Sequence, residues 1–167
     1  MAVLAVVGSR GFNDKWLMAW VLDTLNERAW EEGGTLRVVS GGAKGADTLA
    51  EKWAGSRKVP CTVFPAEWNR HGNKAGRLRN ELMADKCTGA VAFWDSVSPG
   101  TRHMIDAVRR RGKQVLLIDY REPRELWTKK FYGESMEWSR ARRAARGRTT
   151  TRTATATEIV GAAPIAA

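Results

Sequence analysis

The sequence predicts an α/β fold: a Rossmann-like three-layer sandwich on an open parallel sheet of about five strands, with a basic helical C-terminal extension. Three observations point to it. Short apolar runs of strand length recur through residues 1–120, segments of helical period separate them, and glycines with unusually placed polar residues gather just after the strands.

Residues 2–7 (AVLAVV) are apolar without alternation, as in a strand buried on both faces of a parallel sheet, and Gly8 ends the run. Asn13 or Asp14 then caps a helix with Met18, Val21, Leu22, Leu25 and Ala29 on one face, which Gly33 and Gly34 stop. The alternation continues with strand 36–40 (LRVVS), helix 45–56, strand 61–64 (CTVF), helix 74–87, strand 90–94 (AVAFW), helix 100–111 and strand 115–119 (VLLID). Right-handed crossovers through such helices make the strands parallel. Ligands of these sheets bind beyond the carboxyl ends of the strands, so the loops there carry the functional expectation.

A length of 167 residues suits one domain and a tail, and 43% hydrophobic with 28% charged residues suits a chain that buries a core. The three expected regions are an α/β domain over 1–120, an amphipathic basic helical extension over 121–147 and a disordered tail over 148–167. Trp127, Phe131 and Trp138 have helical spacing in the extension, and the tail is low-complexity Thr and Ala. Half of the +10 net charge lies in residues 121–167. That balance attracts phosphorylated ligands and nucleic acid. No apolar run spans a bilayer and no export signal precedes the first strand, so the expected location is the cytoplasm, with no membrane partner. Cys61 and Cys87 are expected as reduced thiols, with no metal site and no cofactor.

The segment Ser40-Gly41-Gly42-Ala43-Lys44-Gly45-Ala46-Asp47 follows a strand and opens a helix. Its glycines let backbone approach a ligand, and outward amides with the helix start would favour phosphate; a plain tight turn is the alternative. It is neither a P-loop nor a dinucleotide fingerprint. Gly8, Ser9 and Arg10 occupy the equivalent position after the first strand, where a guanidinium suits phosphate. After the third strand, Glu67, Trp68, Asn69, Arg70 and His71 form a dense loop in which Trp68 could stack on a base and Asn69 or Glu67 read its edge, or Trp68 could plug the sheet edge. Trp16, Trp20 and Trp30 fall off the core stripe of the first helix, as a partner-facing patch or as packing under the C-terminal segment.

The ordered series GSRGF, VVSGGAKGAD, FPAEWNRHGNKAGRLRNELM and SPGTRHM resembles the SLOG superfamily of Rossmann-like nucleotide-binding domains, most closely its YspA-like branch, over about residues 1–120. The resemblance implies a nucleotide-derived ligand at Gly8, Ser9, Arg10, Ser40, Gly41, Gly42, Ala43, Gly45, Asp47, Glu67, Trp68, Asn69, Arg79, Asn80, Pro99, Gly100 and Thr101. Within the superfamily, the Lonely Guy phosphoribohydrolases carry a catalytic Arg in an R-x-x-x-M segment, which Arg79 and Met83 match. Their PGGxGTxxE signature survives only as Pro99-Gly100-Thr101, with Met104 where the catalytic Glu would stand, and a thioether cannot do the work of that carboxylate.

Three readings follow. The favoured one is a module that senses or sequesters a nucleotide-derived signal. The second is a nucleotide N-glycosidase or phosphoribohydrolase using Arg79 and Glu67. The third is single-stranded DNA binding in the manner of DNA-processing protein A, with Arg140, Arg142, Arg143, Arg146, Arg148 and Arg152 making nonspecific phosphate contacts. A homo-oligomer is a further expected partner arrangement.

Overall fold

The computed structural model describes residues 1–122. The basic extension and the Thr- and Ala-rich tail, with Trp127, Phe131, Trp138 and the arginine run, lie beyond residue 122 and outside the described residues.

Five strands form one parallel sheet in the order β3-β2-β1-β4-β5: β1 (Ala2–Gly8), β2 (Leu36–Ser40), β3 (Cys61–Val63), β4 (Gly89–Trp94) and β5 (Gln114–Asp119). The fold is therefore the expected Rossmann-like one. β1 is central because the chain winds outward from it twice, first through β2 to β3 and then through β4 to β5. Its run is apolar on both sides because helices cover both sides. On one face, α1 (Lys15–Glu31) and α2 (Ala46–Arg57) pack over Leu4, Val6, Val38, Val91 and Phe93. On the other, α4 (Ala75–Lys86) and α5 (Pro99–Arg110) pack over Ala5, Val7, Val39, Ala90 and Ala92. Alternate residues of each strand thus feed alternate cores.

Local chemistry sets the helix ends. Asp14, not Asn13, caps α1, accepting the Leu17 N–H at 2.9 Å. Gly33, at φ +67°, turns the chain out of it. Trp20 is half-buried against the α1/α2 core, whereas Trp16 and Trp30 are exposed, so the three tryptophans do not form one patch. Residues 68–71, expected as loop, form a helical turn, α3 (Trp68–His71), that passes through a 3-10 turn (Gly72–Lys74) into α4. The clasp between α4 and α5 is ionic: Arg111 reaches Glu81 at 2.7 Å and Asp85 at 2.6 Å, and Arg110 also meets Glu81 at 2.7 Å. Among the described residues no helix is long and apolar enough to cross a membrane.

Gly8 is where β1 comes closest to its neighbours: a Cβ there would overlap the Phe93 carbonyl and lie 2.6 Å from the Ala46 side chain. Gly55, on α2, has nothing around its missing Cβ. Gly8→Ala should accordingly cost about 2 kcal/mol or more of unfolding free energy through forced overlap, while Gly55→Ala should gain about 0.5–1 kcal/mol from helix propensity. Urea melts of both variants check this pair of opposite signs.

Candidate functional site

The loops after β1, β2 and β4 converge where the chain's winding reverses between β1 and β4. There a crevice of about 460 Å³ is lined by Gly8, Arg10 and Gly11 from the first loop, Ala43 and Asp47 from the second, Arg79, Asn80 and Met83 from α4, and Ser98 to Thr101 with Met104 from the start of α5. Most of the expected ligand residues therefore meet at one place. Eight do not line it: Ser9, Ser40, Gly41, Gly42, Gly45, Glu67, Trp68 and Asn69. Glu67 is exposed and pairs with Arg70 at 3.5 Å and His71 at 3.4 Å, while Trp68 lies over Gly76 with Asn69 exposed beside it. Ser9 is buried behind the crevice, where its Oγ accepts the Asp95 N–H at 3.1 Å and ties the first loop to the fourth.

The glycine loop differs most from its expected posture. Three of its amides turn inward: Gly41 and Ala43 donate to Asp47 Oδ2 at 3.1 and 3.2 Å, and Gly42 donates to Ser40 Oγ at 3.2 Å. Asp47 thereby occupies the position in the loop that a phosphate oxygen would take in an anion-binding nest. Ser40 in turn donates to Glu51 at 2.6 Å. Sequence located the glycines but gave no sign of which acceptor would take their N–H groups; the Asp four residues beyond Ala43 was the available clue.

Arg79 is braced rather than free. Its Nη1 donates to the Gly41 carbonyl and its Nε to Asn80 Oδ1 at 3.0 Å. A Cβ at Gly41 would meet the Arg79 guanidinium, so a larger residue there would displace that side chain from its brace. Asn80 passes the connection on, donating from Nδ2 to the Gly100 carbonyl at 3.1 Å, with His103 Nδ1 at 3.4 Å beside the same nitrogen. The glycine loop, α4 and the start of α5 are thus one hydrogen-bonded unit. His103 also faces Glu81 at 3.4 Å, and burial lowers its pKa against that carboxylate.

Charge is distributed unevenly in the crevice. Burial pushes the Asp47 carboxyl up to about 6 despite its two amide donors and the Arg79 charge nearby. Burial likewise lowers the Arg79 pKa, with Asp47 opposing. Arg10 takes part in no ion pair among the described residues. α5 begins with Pro99, and its Ser98 cap makes no side-chain bond to the helix, because the Ser98 hydroxyl goes to Asp95 at 2.7 Å. Asp95 also accepts the Val97 and Ser98 amides; burial works against ionisation, but these bonds hold its carboxyl well below the usual range. Thr101 is 5% exposed and lines the crevice beside that uncapped helix start. Met104, 1% exposed, sits on the crevice lining. Among the described residues no three metal-ligating side chains come together.

The raised Asp47 pKa carries a stability consequence. Relative to an unfolded value near 3.8, the folded protein binds this proton more tightly, so stability from this group is greatest in acid and declines as pH rises from about 4 to 6. Asp47→Asn should remove that decline and raise unfolding free energy at pH 7 by about 1–3 kcal/mol if the amide oxygen keeps both loop N–H groups. Denaturant melts of both proteins at pH 4.5 and pH 7 measure it.

Comparison with known proteins agrees with this architecture. Residues 2–71 match the family model described as YAcAr: YspA, cpYpsA-related SLOG family. The chain is 38% identical over 125 residues to the Gene 61 protein of Mycobacterium phage D29, covering 70% of this chain and 95% of that protein. In structure it is similar to DNA processing protein A (DprA) from Streptococcus pneumoniae, with a TM-score of 0.57 at 18% identity. The match covers 81% of this chain but only 56% of DprA, so it speaks for the shared fold. With its glycine loops, parallel sheet and phage relative taken together, the chain belongs to the YspA, cpYpsA-related SLOG family.

Proposed function

We propose that the chain binds a phosphorylated nucleoside or a ligand derived from one, as a sensing or sequestering module, in the crevice between the ends of β1 and β4. The observation that carries the reading is the concentration of uncommitted anion-binding groups on one side of that crevice. Among the described residues Arg10 pairs with no carboxylate, and the α5 start offers backbone N–H groups without a side-chain cap next to the buried Thr101. A helix start of this kind favours negative charge, and a guanidinium lining the same crevice favours phosphate oxygens. The crevice position is also where open parallel sheets take ligands.

Binding is favoured over bond cleavage by the lining itself. Asp47 is the one carboxylate among the residues lining the crevice, and its Oδ2 is committed to the glycine loop. Met104 offers no proton, and Glu67 faces Arg70 and His71 instead. In the Lonely Guy phosphoribohydrolases a Glu stabilises positive charge on the sugar or protonates the departing base, and the matching position in this chain is Met104.

Calorimetric titration with nucleoside 5′-phosphates should give saturable binding that Arg10→Ala weakens by about 1.5–3 kcal/mol, the scale of a charge-assisted hydrogen bond. Equal affinities would remove Arg10 from the site. Incubation with nucleoside monophosphates should release no free base above background. Base release that disappears in both Arg79→Ala and Glu67→Gln would replace binding by catalysis as the function.

A further inference from the structure

The crevice contains a group that an anion pocket by itself does not need. Asp47 is 4% exposed and lines the cavity, and its Oδ2 receives both loop amides. Its other oxygen, Oδ1, has no donor among the described residues. A carboxylate left facing a cavity repels phosphate and attracts hydroxyl or amine donors.

We propose that Asp47 is a specificity-determining residue: its Oδ1 accepts the vicinal hydroxyls of a ribose whose phosphate sits at Arg10 and Thr101, so the site takes ribose phosphates in preference to deoxyribose phosphates. The inference rests on the phosphate-binding reading of the crevice and adds an orientation and a sugar to it. Asp47 and Thr101 stand at the starts of the helices after β2 and β4, which lie on opposite faces of the sheet, and both line the one crevice, so a single ligand there can meet both. Arg79 holds the carboxylate side of the crevice in place by gripping Gly41 rather than by pairing with Asp47, which leaves Oδ1 for the ligand.

The two ends also differ in what they reject. The Arg10 and Thr101 end accepts any phosphate, whereas the Asp47 end gains a hydrogen bond only from a sugar that carries the hydroxyl, so an analogue missing that OH binds less tightly. The sugar therefore sets selectivity while the phosphate sets the base level of affinity.

The test uses the full chain at pH 7.5, titrated by ligand-observed NMR with ribose 5-phosphate, 2-deoxyribose 5-phosphate and inorganic phosphate. The parent protein should bind ribose 5-phosphate at least fivefold more tightly than the deoxy sugar, and Asp47→Asn should bring that ratio close to one while inorganic phosphate affinity is kept or raised. A purely structural role for Asp47 would weaken all three probes together and leave the ratio unchanged, which overturns the inference. Equal affinity of the parent protein for both sugars overturns it without need of the variant; if that binding still depends on Arg10, the phosphate crevice stands and only the role of Asp47 falls. Absence of binding for all three overturns the crevice reading and this inference with it.

Discussion

The hydrogen bonds from Gly41 and Ala43 to the buried Asp47 carboxylate fix the geometry of the ligand edge. They fold the glycine loop back onto the start of α2, which turns the Gly41 carbonyl toward Arg79. Arg79 is then positioned to meet Asn80, and Asn80 to hold Gly100. Placing an acid at about 4% exposure costs free energy, and the shift of its pKa to about 6 measures that cost in part. Functional sites commonly retain such groups because they order a loop in one conformation.

A loop already satisfied by its own carboxylate divides the work among the three strand-end loops. The loop after β2 is a brace, the loop after β1 presents an exposed cation, Arg10, and the helix after β4 presents amides and a hydroxyl. The Rossmann-like fold supplies the position common to SLOG domains, and side chains at that position supply the chemistry. Met104 illustrates the point: it contributes apolar packing to the crevice lining and the α4/α5 core.

The strands were legible because both faces of this sheet are covered, so AVLAVV and AVAFW are apolar without a break. Clustering of Arg10, Asp47, Arg79, Asn80 and Thr101 followed from the rule that ligands bind beyond strand ends, once the strands were placed. The helical turn at Trp68–His71 was not legible, because four polar and aromatic residues are too few to show a period. Burial of Ser9 and inward rotation of the glycine-loop amides also escaped the sequence, since both depend on partners brought by other segments: the Asp95 N–H donates to Ser9 across 86 positions, and Asp47 accepts from the start of the next helix. Separation of Trp20 from Trp16 and Trp30 arose similarly, from where the α2 side of the core extends rather than from spacing on α1.

The ionic clasp of Arg111 on Glu81 and Asp85 has a mechanical meaning for the crevice. It ties the C-terminal end of α5 to Glu81 and Asp85 of α4, while Asn80, one residue before Glu81, holds the Gly100 carbonyl at the start of α5. The middle of α4 is thus bonded to both ends of α5, and α4 and α5 form one wall of the crevice. The two ties differ in kind: salt screens the partly exposed ion pairs, whereas the Asn80 hydrogen bond next to the crevice does not depend on ionic strength in the same way.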